Sequence, residues 1–171
     1  APDLLMAKRG ESHPTERADL HGKRLVACIE TEAGRRMAEA LVKELTGGDR
    51  VRARRMREDF WGFAPTHPVW LSSNYKPVVF GTDHGIWRRI KLIPFDVVIA
   101  DSDQDKKLAS KLEAELSGIL NWAIAGCLDW QQNGMQEPEI VSGSTTKYRV
   151  EMDDVGQFIE KCCELGAGYM T

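Results

Sequence analysis

Between Lys23 and Glu30 the chain gathers Leu25-Val26-Ala27-Cys28-Ile29, an apolar run with charge on both sides. A run this short and this uniform suits a buried strand of a mostly parallel sheet, where neither face alternates toward water. It ends in Glu30-Thr31-Glu32. From about Gly34 the spacing becomes helical: Met37, Leu41 and Leu45 recur four apart on one face. Gly47-Gly48 ends that pattern. The period then switches to two, with Val51 and Ala53 alternating with Arg50, Arg52 and Arg54. After a polar stretch over 55–59 comes Phe60-Trp61-Gly62-Phe63, and the whole reads as a β-hairpin with a charged tip. Val69-Trp70-Leu71 reads as a second buried strand, ending in Ser72-Ser73-Asn74. A third strand is expected over 86–95, interrupted by Arg88 and Arg89.

Elsewhere the patterns are looser. Residues 1–22 are polar and punctuated by Pro2, Gly10, Pro14 and Gly22, with a short helix expected near 15–20. Beyond about Ala100 the chain reads as helical. Leu108, Leu112 and Leu116 are spaced four apart, Ile119, Leu120, Ala123 and Leu128 extend the stripe, and Gly134 and Pro138 break it. Met152, Val155, Ile159 and Cys162 repeat the helical spacing. The layout is a mixed α/β part over 1–100 and a helical part over 101–171. At 171 residues the chain fits one domain, or one domain with a small appendage.

No apolar run approaches the roughly 18 residues of a membrane helix, and the first residues are too polar for a secretion signal. The four cysteines form no CxxC pair, and the histidines have no metal-ligand spacing to them. A cytoplasmic, reducing location is expected. Net charge is −3, unevenly spread: 17 Lys and Arg against 13 Asp and Glu over 1–100, then 6 against 13. The excess of positive charge in the first part favours a surface that faces a polyanion.

Four constellations bear on chemistry. Glu30 and Glu32 close a buried strand, at the crevice where parallel α/β sheets bind ligands. One carboxylate there can hold magnesium and a second can orient water, although acidic residues equally favour a helix start. Arg50, Arg52, Arg54, Arg55 and Arg57 place five arginines in eight residues. Their planar guanidinium groups suit phosphate, with Phe60, Trp61 and Phe63 close behind. A charged edge strand protected from aggregation has the same composition. Asn74 ends a strand, where its amide can bond a phosphate, position a water or cap a turn. Arg88 and Arg89 lie on opposite faces of an extended segment, so one of them is free to reach a partner's site or a surface ion pair.

In order, the strings KRLVACIETEAGRRMAEALVKELTGGDRVRARRM, HPVWLSSNYKP and GTDHGIWRRIKLIPF resemble the helicase region of phage and plasmid primase-helicases. These are superfamily 3 helicases built on an AAA+, P-loop NTPase-like core, and the resemblance runs from about His13 to Cys163. It implies a partial AAA+ core over 1–100 and a helical lid over 101–171. Glu30 and Glu32 match the Walker B segment, which holds magnesium and orients the attacking water. Lys43 through Asp49 and the arginine hairpin match motif B-prime, whose hairpin contacts single-stranded DNA. Arg50, Arg52, Arg54, Arg55, Arg57 and Trp61 are therefore the expected DNA contacts. Asn74 matches sensor 1, and Arg88 and Arg89 match the arginine-finger region that serves a neighbouring subunit. The implied setting is DNA replication in a bacterial host, with a homo-oligomeric ring, a hexamer in such helicases, and no membrane.

One departure is large. No GxxxxGK[ST] string occurs, and Gly22-Lys23 is the only GK pair. The Walker A cradle that binds phosphates through backbone N–H groups is expected N-terminal to this chain. ATP and Mg²⁺ thus belong to the complete parent domain, and neither is expected to bind tightly to this chain alone. The other reading is a non-catalytic module that keeps the AAA+ scaffold and binds DNA or a replication partner.

Overall fold

The structure, a computed structural model, describes residues 4–8, 14–30 and 32–163. His13, where the resemblance begins, Thr31 of the acidic triplet and most of the loop expected before residue 14 lie outside them. The chain divides into two compact units, 1–91 with 145–171, and 92–144.

The first unit opens with a short helix α1 (Pro14–Ala18) and strand β1 (Val26–Glu30). Helix α2 (Glu39–Thr46), strands β2 (Val51–Ala53), β3 (Trp61–Phe63) and β4 (Val69–Ser73), and the single-turn helix α3 (His84–Trp87) follow. β1 and β4 form a parallel pair, Val26 opposite Val69 and Glu30 opposite Ser73. β2 and β3 form a separate antiparallel pair, Val51 opposite Phe63 and Ala53 opposite Trp61. The expected α/β character is present, with a short parallel sheet compatible with part of a P-loop-like core.

Each element follows from its pattern. α2 buries Leu41, Val42 and Leu45, and the chain leaves it at Gly48, whose φ of +86° favours a residue without Cβ. Val51 and Ala53 are fully buried while Arg52 between them is exposed, as period two demands. Trp61 and Phe63 pack edge-on against His21, with ring centroids 4.8 and 5.4 Å away. Ile86, Val51, Val79 and Cys28 are the largest fully buried side chains.

Three expectations are corrected. β4 is not a buried strand: Val69 and Leu71 are half-buried and Trp70 is 55% exposed. The segment 86–95 is no strand: residues 84–87 form α3, and 90–100 carry no regular element. Asp83 decides this locally, because its side chain accepts the Ile86 N–H and caps a helical turn. Arg88 and Arg89 therefore sit at a helix C-terminus, not on opposite faces of a strand. The run at 25–29 is also covered on one side only. Val26, Cys28 and Glu30 are buried, but Leu25 and Ile29 are 58% and 62% exposed.

The second unit holds a 3₁₀ turn (Asp101–Asp103), α4 (Leu108–Ala114), α5 (Leu116–Asn133) and the start of α6 (Glu139–Glu151). The rest of α6 and α7 (Asp154–Cys162) belong to the first unit. There α6 clasps the loop between β4 and α3. Tyr148 Oη donates to the Pro77 carbonyl, and its ring meets Trp87 edge-on at 5.2 Å. Arg149 Nη2 donates to the Thr82 carbonyl at 2.9 Å, and Lys76 pairs with Glu151 at 2.5 Å. No helix among the described residues is long and apolar enough to cross a membrane.

Candidate functional site

The C-terminal ends of β1 and β4 lie side by side, the edge at which parallel α/β sheets take ligands. Glu30, the last residue of β1, shares the covered face with Val26 and Cys28 and is 4% exposed. Its Oε1 accepts the Glu32 backbone N–H at 2.8 Å, so the chain turns over its own carboxylate. The Glu32 side chain is mostly exposed. Gly34, at φ +73°, reverses the chain in a conformation that suits glycine. Arg35 then returns to both acids, its Nη1 3.0 Å from Glu32 Oε2 and 3.9 Å from Glu30 Oε2. Asn74 directly follows β4 and is exposed. Beside it Ser73 Oγ donates to the Tyr75 carbonyl at 2.6 Å and accepts the Tyr75 N–H at 3.2 Å.

Glu30, Glu32 and Asn74 thus lie at one sheet end. Arg35 was not singled out by sequence reasoning; the signal available was a glycine turn placing a cation just after an acidic triplet. Among the described residues no three or more His, Cys, Asp and Glu side chains gather as a metal cage. Two carboxylates alone fit Mg²⁺, which keeps several waters and takes one or two carboxylates beside substrate phosphates.

The arginine pair lies on a different element. α2 holds the approach to α3: Glu39 Oε1 accepts the N–H groups of Phe80 and Gly81 at 2.9 and 3.2 Å. Lys43 Nζ meets Asp83 Oδ2 at 3.0 Å, and that hydrogen bond holds the Asp83 carboxyl below its ordinary range. Trp87 Nε1 donates to the Gly81 carbonyl at 2.7 Å. Arg89 turns inward, donating to the Gly85 carbonyl. Its Nη2 lies 3.8 Å from where a Cβ on Gly47 would stand. Arg88 is exposed. The two arginines therefore differ in role: one is tied to its own fold, the other faces outward.

The basic hairpin is separate from the carboxylate sheet. Arg50, Arg52, Arg54, Arg55 and Arg57 are all exposed. Arg52 and Arg54 place their guanidinium carbons 4.4 and 4.9 Å from the centroid of Phe60. Arg50 donates to the Gly62 carbonyl across the pair. Phe60 is the exposed ring of this surface, while Trp61 is half-buried against His21 and Phe63.

No protein-family model matches the chain. Over 175 aligned residues it is 29% identical to the Acanthamoeba polyphaga mimivirus protein named "Putative helicase L207/L206". The alignment covers 91% of this chain and 18% of that protein. The chain therefore spans less than a fifth of the length of the curated relative it matches. The relationship is helicase-like and extends along most of the chain.

Proposed function

We propose that this chain is a section of the ATPase motor of a DNA helicase of the superfamily 3 primase-helicase type. The observation that carries the reading is the meeting of Glu30, Glu32 and Asn74 at one end of the β1–β4 pair, in a chain similar over 91% of its length to a helicase-named protein. In this reading Glu30 and Glu32 hold Mg²⁺ and orient the attacking water, acting as a coupled pair. Bound Mg²⁺ supplies neutralisation of charge on the nucleotide phosphates. Asn74 offers its side-chain amide to a phosphate or a water at the same edge. Arg88 is the group that serves a neighbouring subunit of a ring, because Arg89 is committed to the Gly85 carbonyl of its own chain.

Single-stranded DNA is assigned to the hairpin. Five exposed arginines beside an exposed Phe60 combine phosphate binding with a ring on which any base stacks. Fluorescence anisotropy on labelled oligonucleotides tests this with the chain as it is. Arg52→Ala, Arg54→Ala and Arg55→Ala together should weaken binding by about tenfold or more at low salt. The logarithmic salt slope should fall by about 2, at about 0.7 for each phosphate that an arginine no longer neutralises. Oligonucleotides of different sequence should be affected alike. Unchanged affinity of the triple variant at low salt would remove the hairpin from the interface.

A further inference from the structure

We propose that Arg35 is a built-in counter-cation of the Glu30–Glu32 pair, which a divalent cation must displace to take those carboxylates. The inference rests on the reading of the two carboxylates as cation ligands.

Glu30 is buried to 4% exposure, and a carboxylate so far out of water needs a compensating charge. Arg35 supplies it from within the same turn. Its guanidinium faces Oε2 of both acids, at 3.0 Å for Glu32 and 3.9 Å for Glu30. Oε1 of Glu30 is engaged by the Glu32 N–H. A divalent cation held by the two carboxylates would therefore need oxygens that Arg35 already faces. A guanidinium and a dication cannot share them, because like charges at this separation repel strongly in a partly desolvated site.

The geometry also provides a way out. The Arg35 side chain is 27% exposed, and its closer partner Glu32 is 68% exposed. Arg35 can swing outward into solvent, leaving both carboxylates behind, while the backbone turn that holds Glu30 stays closed. The same turn thus keeps Glu30 charge-balanced without a metal and vacates the carboxylate when a metal arrives.

The test titrates the chain with Mn²⁺ and follows the electron paramagnetic resonance signal of the free ion, a readout independent of hydrolysis. Arg35→Gln should bind Mn²⁺ roughly tenfold more tightly than the wild type, with removal of one charge at contact distance as the cause. Arg35→Lys, which keeps the charge and loses the planar fork, should fall between them. Arg36→Gln is the control for net charge: its guanidinium lies over the Phe80 ring at 4.5 Å, and its removal should change affinity less than twofold. Glu30→Gln should abolish the site in every background.

The outcomes separate the two claims. Binding that needs Glu30 but is unchanged or weakened in Arg35→Gln keeps the carboxylates as ligands and overturns the counter-cation. Equal tightening by Arg36→Gln also overturns it, by reducing the effect to bulk charge. Absence of any Mn²⁺ binding, even the weak binding expected of this chain alone and followed to millimolar concentration, in every variant, Arg35→Gln included, overturns the ligand reading and the inference with it.

Discussion

His67 shows how much one side chain can carry. It stands just before β4 at 8% exposure, and neither ring nitrogen has a hydrogen-bond partner among the described residues. Burial pushes its pKa below the ordinary histidine value. Protonation then favours the unfolded chain, whose histidine titrates near about 6.5. The stability in question is fully present above that pH and is lost as pH falls through the lower folded value, by at most about 1.4 kcal/mol per pH unit. Urea midpoints should therefore drop more steeply between pH 7 and pH 5 for the wild type than for His67→Gln; parallel profiles would assign the titration elsewhere. Legibility at this scale follows sequence distance. Glu30 and Glu32 were readable because an acid closing an apolar strand is a local pattern. Arg35 was not, because its partnership depends on the reversal at Gly34. The difference between Arg88 and Arg89 was equally hidden, since it is set by the Gly85 carbonyl and the space at Gly47.

Elements were legible where period and stop signal agreed. The change from spacing four to spacing two at Gly47-Gly48 correctly separated α2 from the β2–β3 hairpin. Gly48 marks that junction with φ +86° and nothing within 4 Å of an added Cβ. Space is available there, so only backbone conformation opposes a side chain. Gly48→Ala should cost about 1 kcal/mol, read as a lower urea midpoint with an unchanged slope; an unaltered midpoint would mean the junction relaxes to negative φ. The segment after residue 84 was misread for a complementary reason. Its apolar residues suited a strand, but Asp83 caps a turn, Lys43 fixes Asp83, and Glu39 ties down the preceding N–H groups. These bonds come from α2, some forty residues earlier, and outweigh local propensity. α6 lies within the part expected to be helical, but no stripe marks its bounds, because its C-terminal half is held by Pro77 and Thr82.

Across the whole molecule the first unit has a core and the helical stretch of the second does not. Every residue from 95 through 140 is exposed, including Leu116 at 61%, Leu120 at 60%, Trp122 at 77% and Trp130 at 52%. A helix apolar around much of its circumference belongs in an interior, and α5 carries Leu116, Ile119, Leu120, Trp122, Ile124 and Leu128 within its bounds. Within the first unit, the uncovered side of the β1–β4 pair exposes Leu25, Ile29 and Trp70 in its own right. Exposed apolar area on this scale exceeds what isolated surface hydrophobes explain. Sequence patterning marked Leu116, Ile119, Leu120 and Leu128 as an apolar stripe but could not say whether a core would form around it. The physical consequence is measurable without knowing what covers them. The chain on its own should bind the dye 1-anilinonaphthalene-8-sulfonate strongly and sediment with a concentration-dependent coefficient. Replacing Leu120 and Trp122 together by glutamine should lower both dye fluorescence and self-association while leaving the unfolding free energy of the first unit within about 0.5 kcal/mol, as for surface positions. A wild-type chain that gives no dye enhancement and sediments as a monomer at every concentration would mean that α5 buries its apolar residues within the chain itself.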